Sequence, residues 1–376
     1  MTPRLVALIS AIPTVYYLWR WLSFRRVYVP FLPVGAALML AVSSLLYTHQ
    51  GQGTAAVAIV LCAVFLFVSV IMYVDRKFTA LKCVMFLSTF LSFATVICIA
   101  VCLAFKSKLF FTEVPLADFL LGTTWNPDSQ VVNGRLVGHF GILPLLSGTL
   151  LIVIVAMTVA LPLGLLSAIY VSEYSDKRVR RTFNTLLEIL CGIPTVVYGY
   201  FAVMFLSPNI RGFAKLCGFN AQSENSLAAG LAIGIMILPF VTLLMENALR
   251  SVPKILRYGS IALGATRAET TWNIVVPYAL PDICSSVILA ISRVIGETMI
   301  VLMAAGVTAN LTFNPLHSVT TITVQIATIL TGDQNFQSVH TSSAYALGLT
   351  LFIMTWVLNL IAAYITRRTD EPSKNT

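Results

Sequence analysis

Charge is scarce in this chain. Lysine, arginine, aspartate and glutamate make up 10% of its 376 residues, against 58% apolar, where a soluble domain carries about a quarter charged residues. That shortage excludes an ordinary soluble globular domain and implies a polytopic membrane protein. Signatures of catalysis are missing too. There is no Gly-x-x-x-x-Gly-Lys-Ser/Thr run, so no P-loop can cradle ATP phosphates. The nearest glycine-rich piece, Gly259 to Gly264, has no lysine after it. No His-Glu-x-x-His and no metal-spaced cysteine or histidine set occurs. His49, His139, His317 and His340 are scattered through connections and read as solvated residues. The seven cysteines are an odd number and lie mostly in apolar runs. Cys98 and Cys102 share a helix face as small packing residues. An intramembrane enzyme is poorly supported, the chain is expected to hold no cofactor, and any pumping must draw its energy from another subunit.

What charge there is has a sign and a pattern. The net charge is +9, but the basic residues sit in short clusters between apolar runs, which points to membrane topology rather than to nucleic acid. About nine runs are long enough to span a bilayer. Three lie at 4–22, 28–47 and 55–74; a signal peptide is the rival for the first, although no small-residue cleavage site follows it. The others are expected at 83–105, 141–171, 183–206, 227–248, 282–305 and 343–365, with polar connections at 106–140 and 207–226. Pro194 is expected to kink the sixth run. Residues 307–340 are polar at both ends around a mildly apolar middle, which suits a re-entrant or interfacial piece. With the loop after residue 248 placed inside, most of the 24 lysines and arginines fall on the cytosolic side. The C-terminus is then cytosolic too.

Two pieces carry the functional argument. The first is the polar loop 257–277. Pro253 suits a helix start, Gly264 suits the turn that ends it, and Thr266 with Glu269 has the spacing of a capping box. A second helix is expected to start at Arg267, present Ala268, Trp272 and Val275 on one face, and stop before Pro277. The second piece is the apolar run 282–305, which contains Arg293 and Glu297. Arg293 lies roughly 17 Å along the helix from Asp282, near the midplane. A central arginine costs about 2.5–3.5 kcal/mol on insertion scales, whereas a leucine returns about half a kcal/mol. At i and i+4 the two charges share a face and can pair. One reading is an ion pair that locks the bundle. The other is a polar path in which Arg293 offers its guanidinium fork to an oxyanion, Glu297 tempers it and Thr298 adds a hydroxyl. Glu246 and Arg250 read as a structural surface pair in the favourable order, Tyr198 and Tyr200 as packing aromatics, and Glu188 as an interfacial residue near the cytosolic end.

The loop resembles the EAA loop of ABC importer permeases, whose pattern is roughly Glu-Ala-Ala, then a glycine, then Ile-x-Leu-Pro. Gly264, Ile274 and Pro277 match; Tyr258 and Gly259 stand where Glu-Ala is usual, and Val276 where Leu is. Ser292-Arg-Val-Ile-Gly-Glu-Thr-Met299 is similar to the corresponding stretch of phosphate importer permeases of the PstC and PstA pair, with Met299 closer to PstC. Trp125-Asn-Pro127, Phe140-Gly-Ile-Leu-Pro144, Ser172-Glu-Tyr174, Gly192-Ile-Pro194 and Val197-Tyr-Gly199 also resemble PstC, so the likeness runs over about 83–376 in order. The resemblance implies an all-α permease helix bundle of the type I importer kind, with about six core helices plus about three extra at 1–82, and a cytosolic coupling loop at 249–281. It implies a bacterial inner-membrane location and a PstA-like permease as partner. It also implies a PstB-like ATPase dimer that binds the ATP and grips Tyr258, Ala262, Gly264, Ala265, Thr266, Ile274 and Pro277. A PstS-like phosphate-binding protein is the expected partner outside. Two rivals stay open: a permease for molybdate, sulfate or phosphonate, and an ATPase-independent ion-coupled carrier. Such carriers often show inverted repeats, and no clear internal repeat is visible here.

Overall fold

The computed structural model describes residues 80–127, 131–132, 135–136, 139–332 and 339–370. The three runs expected at 4–22, 28–47 and 55–74 lie outside the described residues. The chain divides into two compact units, Met1–Cys102 and Leu103–Thr376. In the first, the described part is the beginning of helix α1, Ala80–Glu113. In the second, α2 (Leu116–Leu121) precedes two short strand pairs, β1 (Trp125–Asn126) with β4 (His139–Phe140) and β2 (Val131–Val132) with β3 (Arg135–Leu136). Every later element among the described residues is a helix. The all-α expectation holds, with these hairpin fragments as its one departure among the described residues.

Helix α1 runs on to Glu113, well into what reads as a polar connection. Lys106 and Lys108 stay exposed, while Ser107 and Phe110 turn inward and bury. The Ser107 hydroxyl donates to Ala104 O at 3.1 Å, so it costs the helix no unsatisfied polar group. Phe110 then sits edge-on to Phe119 and Phe140, at 5.5 and 5.3 Å between centroids, and Trp125 edge-on to Phe140 at 5.8 Å. Such pairs add about 0.5–1.5 kcal/mol each beyond the area they bury. Trp125 pairs with Phe140 in the strand register, so two separate sequence motifs close one aromatic cluster.

The bundle proper is built on α3 (Leu143–Ile169), which ends in a π turn at Tyr170–Tyr174, and α7 (Ser226–Ser251). Asn225 caps α7, its side chain accepting from the Ala228 N–H at 2.8 Å. The pair packs closely because Gly230 and Gly234 face α3. A Cβ on Gly230 would meet Val155 Cγ1 at 2.5 Å, and one on Gly234 would meet the Ala156 carbonyl at 3.0 Å. This is the small-residue packing that membrane helices use where the hydrophobic effect cannot drive them together. Between them come α4 (Lys177–Cys191), α5 (Thr195–Phe201) with a π turn at Ala202–Leu206, and α6 (Ser207–Leu216). The expected kink at Pro194 is a full break: α4 and the helix that follows meet at 82°. Pro194 has extended ψ and caps the start of α5 rather than bending one helix; the restriction a proline puts on the residue before it acts on Ile193, between the two helices. The connection expected from 207 begins as helix α6.

After α7 come α8 (Lys254–Ala262) and α9 (Arg267–Thr270), then a π turn at Thr271–Val275 and α10 (Val276–Ile295). The helix does not stop before Pro277. The π turn bonds Val276 N–H back to Thr271 O, and Pro277 falls in the first turn of the α segment beyond it, where the missing N–H is tolerated. The run expected as one span at 282–305 is broken instead: α10 ends at Ile295 and α11 (Met299–Ala304) begins after Thr298. The apolar middle of 307–340 is the short helix α12 (Ile322–Gly332), and α13 (Val339–Asp370) packs against α10 and α12. Among the described residues five helices are long and apolar enough to cross a membrane, or six with the bent pair counted as one. That agrees with about six core helices.

Candidate functional site

The break after α10 is the first site. Arg293 lies in the last turn of α10, where the carbonyl ends favour a cation. Its side chain is exposed, with the guanidinium carbon 5.0 Å from the centre of the Phe240 ring on α7. A cation over a ring gains about 0.5–2 kcal/mol, so the ring holds the charge without cancelling it. Glu297 does not pair with Arg293. Among the described residues the ion pairs are Arg250–Glu246 and Arg257–Glu173. The i and i+4 geometry requires one continuous helix, and the helix ends between the two charges. Glu297 Oε1 accepts instead from the N–H groups of Met299 and Ile300, at 3.1 and 3.3 Å, capping α11. Thr298 is half-buried at the α11 N-terminus. The Thr323 hydroxyl donates to Glu297 O at 2.9 Å and lies 3.0 Å from the Thr321 hydroxyl. Thr320, Thr321, Thr323 and Gln325 are all buried. The Ser292 and Thr320 hydroxyls are buried without a protein partner among the described residues.

That threonine-rich segment was not singled out by the sequence. Its signal was present, as a polar run, Ser318-Val-Thr-Thr-Ile-Thr-Val-Gln325, opening an otherwise apolar helix. Its fit against α3 is close: a Cβ on Gly148 would collide with the Thr320 carbonyl. The break beside Arg293 is therefore backed by hydroxyls and backbone from two further helices.

The second site is the knob formed by α8 and α9. The capping box is present: Thr266 N–H donates to Glu269 Oε2 at 2.8 Å, and Glu269 N–H to Thr266 Oγ1 at 3.3 Å. Gly264 has φ +91°, which a Cβ would strain. The hydroxyls of Ser260 and Thr270 lie 2.9 Å apart and tie the two helices together. The knob is also pinned to the bundle. Arg257 donates two bonds to Glu173, at 2.9 and 3.1 Å, and further bonds to the carbonyls of Leu249 and Val252. Glu173 belongs to the Ser-Glu-Tyr motif at the end of α3, and nothing in the spacing of the two residues pointed to the pair.

The expected loop residues divide by position. Tyr258, Ala262, Gly264 and Thr266 are exposed, Ala265 and Ile274 are half-buried, and Pro277 is exposed where the span begins. The face expected to be shared by Ala268, Trp272 and Val275 is not one face. Val275 is buried with Thr271 and Ala279, while Ala268 and Trp272 are exposed, because the π turn shifts the angular register after Thr271. The outward surface carries Ile255, Tyr258, Leu263 and Trp272, with Leu263 91% exposed. Glu246 is not a surface acid either. It is 1% exposed, bonded by Arg250 at 3.4 Å and by Asn184 Nδ2 at 3.0 Å. Tyr198 packs against the core and Tyr200 is exposed.

Residues 160–371 match the family described as binding-protein-dependent transport system inner membrane component. Over 252 residues the chain is 33% identical to the probable ABC transporter permease protein YqgH of Bacillus subtilis, covering 67% of this chain and 78% of that protein. Over 268 residues it is 31% identical to the phosphate transport system permease protein PstC of Mesorhizobium japonicum, covering 67% and 79%. Among solved structures, a chain of a bacterial alginate ABC transporter, crystallised in complex with its alginate pentasaccharide-bound periplasmic protein, superposes with a TM-score of 0.52. It is 16% identical and covers 76% of this chain and 93% of that one, a likeness of fold.

Proposed function

We propose that this chain, which belongs to the binding-protein-dependent transport system inner membrane components and within them resembles the PstC permeases, is a transmembrane subunit of an ATP-driven phosphate importer. Arg293 is the observation that carries the reading. It is a cation at a helix break inside an apolar chain, exposed, and steadied by a ring rather than by the nearest carboxylate. A guanidinium in that position presents a planar fork to an oxyanion, and incomplete neutralisation leaves it able to do so. Thr298 at the α11 N-terminus and Thr323, bonded to Glu297 O, bring hydroxyls to the break. Glu297, with its carboxylate on the α11 N-terminus, sets the edge of the path.

The rest of the machine comes from partners. A PstA-like permease would complete the path across from Arg293. A PstB-like ATPase dimer would bind the ATP and would grip the exposed apolar surface of the knob from the cytosol. A PstS-like binding protein would deliver phosphate from outside. The C-terminus lies in the cytosol on this reading, in agreement with the Lys and Arg bias. Force applied at the knob reaches the bundle through Arg257–Glu173 and through the unbroken helix from Arg267 to Ile295, which ends beside Arg293. The lever and the site are thus one element.

The test is uptake by vesicles holding this chain with its candidate permease, ATPase and binding-protein partners. Phosphate uptake that needs ATP and resists excess sulfate and molybdate is expected. Strong competition by either anion moves the cargo to another oxyanion, and flux that persists without the ATPase moves the chain to the ion-coupled carriers.

A further inference from the structure

Helix α4 has two faces that the transport path does not use. Lys177, Arg180, Arg181, Asn184 and Glu188 line one side of it and, with Arg250 from the end of α7, border an open cleft of about 400 Å³. Two of its cations are held in place. Arg180 donates to the carbonyls of Val171 and Ser172, at 2.9 and 2.7 Å, and Arg250 is bonded to Glu246. Glu246 also fixes Asn184, so one buried acid organises the floor. Neither Lys177 nor Arg181 has a side-chain partner among the described residues, and both are exposed. Glu246 is already matched by Arg250, which leaves Glu188 as the acid facing three cations. The other face of α4 presents Val179, Phe183, Leu186 and Leu190, all exposed. Basic on one side and apolar on the other, α4 suits the interfacial arm of the bent pair, with the 82° break turning the chain into the bilayer.

The cleft also has a direction. Positions 177, 181, 184, 188 and 191 form one stripe along α4, roughly 21 Å long. The stripe ends at Cys191, the last residue of α4, beside the break that turns the chain at Pro194. We propose that this cleft is a second anion subsite, downstream of Arg293 on the side assigned to the cytosol, and that it holds a phosphate group. That group belongs either to free phosphate leaving the path or to an anionic lipid at the interface; both present the same oxygens to the same cations. The proposal rests on the importer reading for its direction.

The test uses the assembled importer in nanodiscs of neutral phosphatidylcholine, without the binding protein and in an Arg293→Gln background, so that the path cation is gone. Binding of radiolabelled orthophosphate is measured by equilibrium dialysis, and retention of phosphatidylglycerol by native mass spectrometry. The pair Lys177→Gln and Arg181→Gln is expected to weaken one of these by at least about tenfold. Arg211→Gln, which lies off the cleft, should change neither. If phosphate binding is present and phosphatidylglycerol does not displace it, the occupant is free phosphate. If phosphatidylglycerol is retained and competes, it is the lipid. If the assembled double variant holds both ligands as the parent does, or the parent holds neither, the subsite is overturned. Failure of the importer reading looks different: wild-type vesicles then show no ATP-dependent uptake at all.

Discussion

The knob and the break handle their charges in opposite ways. In the knob, Arg257 spends its whole fork on Glu173 and two carbonyls, and Thr266 and Glu269 satisfy each other. These polar groups are consumed internally, and the outward surface carries Ile255, Tyr258, Leu263 and Trp272 beside the exposed Lys254 and Arg267. At the break, Arg293 makes no ion pair among the described residues and Glu297 is turned to the next helix. A part that transmits force needs internal rigidity, and a part that handles a passing anion needs an unspent cation. The contrast supports the two proposed roles more sharply than the residue types do.

The strongest way to break the comparison is to loosen the knob. Arg257→Met leaves Glu173, whose side chain is 14% exposed, with the Ser172 hydroxyl in place of its cation, and strands the carbonyls of Leu249 and Val252 with it. A cost of about 2–3 kcal/mol is expected, below that of a fully buried pair. Thermal denaturation of the assembled importer should fall, and phosphate moved per ATP hydrolysed should drop several-fold while hydrolysis continues. An unchanged coupling ratio would mean that the pin is not part of the lever. Gly264→Ala comes next. A Cβ there meets nothing within 4 Å, so the cost is the backbone strain alone, about 1–2 kcal/mol; the coupling ratio should fall about twofold to fivefold, with assembly intact. Thr266→Ala removes one side of the capping box for about 1 kcal/mol, visible as a small drop in the same melting curve.

Much of the knob was legible beforehand because its signals are local. A proline start, a glycine at positive φ and a capping box each act within four residues, and each reads directly from Pro253, Gly264, Thr266 and Glu269. What the sequence hid was long-range or depended on register. The Arg257–Glu173 pair spans the chain from α3 to α8. The π turn at Thr271–Val275 has no composition of its own, yet it carries the helix past Pro277 and turns Trp272 outward. The break at Gly296 looked like one apolar span because hydropathy does not register a helix that ends inside the membrane. That single error made Arg293 and Glu297 look like partners. The glycine pair Gly230 and Gly234 was visible as a spacing, but its meaning depends on α3 lying opposite.

The smallest expected effect sharpens the comparison from the other side. Glu297→Gln keeps an oxygen acceptor for the N–H groups of Met299 and Ile300, so uptake should stay within about twofold of the parent if capping is its main task. A loss as complete as that of an Arg293 variant would show that its charge, not its cap, is what transport needs.

The most direct measurement is Arg293→Gln in the reconstituted importer, with phosphate uptake and binding-protein-stimulated ATP hydrolysis followed together. The account predicts that uptake is abolished while assembly and stimulated hydrolysis survive, because the knob and its pin are untouched. Normal uptake by an assembled Arg293→Gln importer would contradict it, and would return Arg293 to a merely structural place over Phe240.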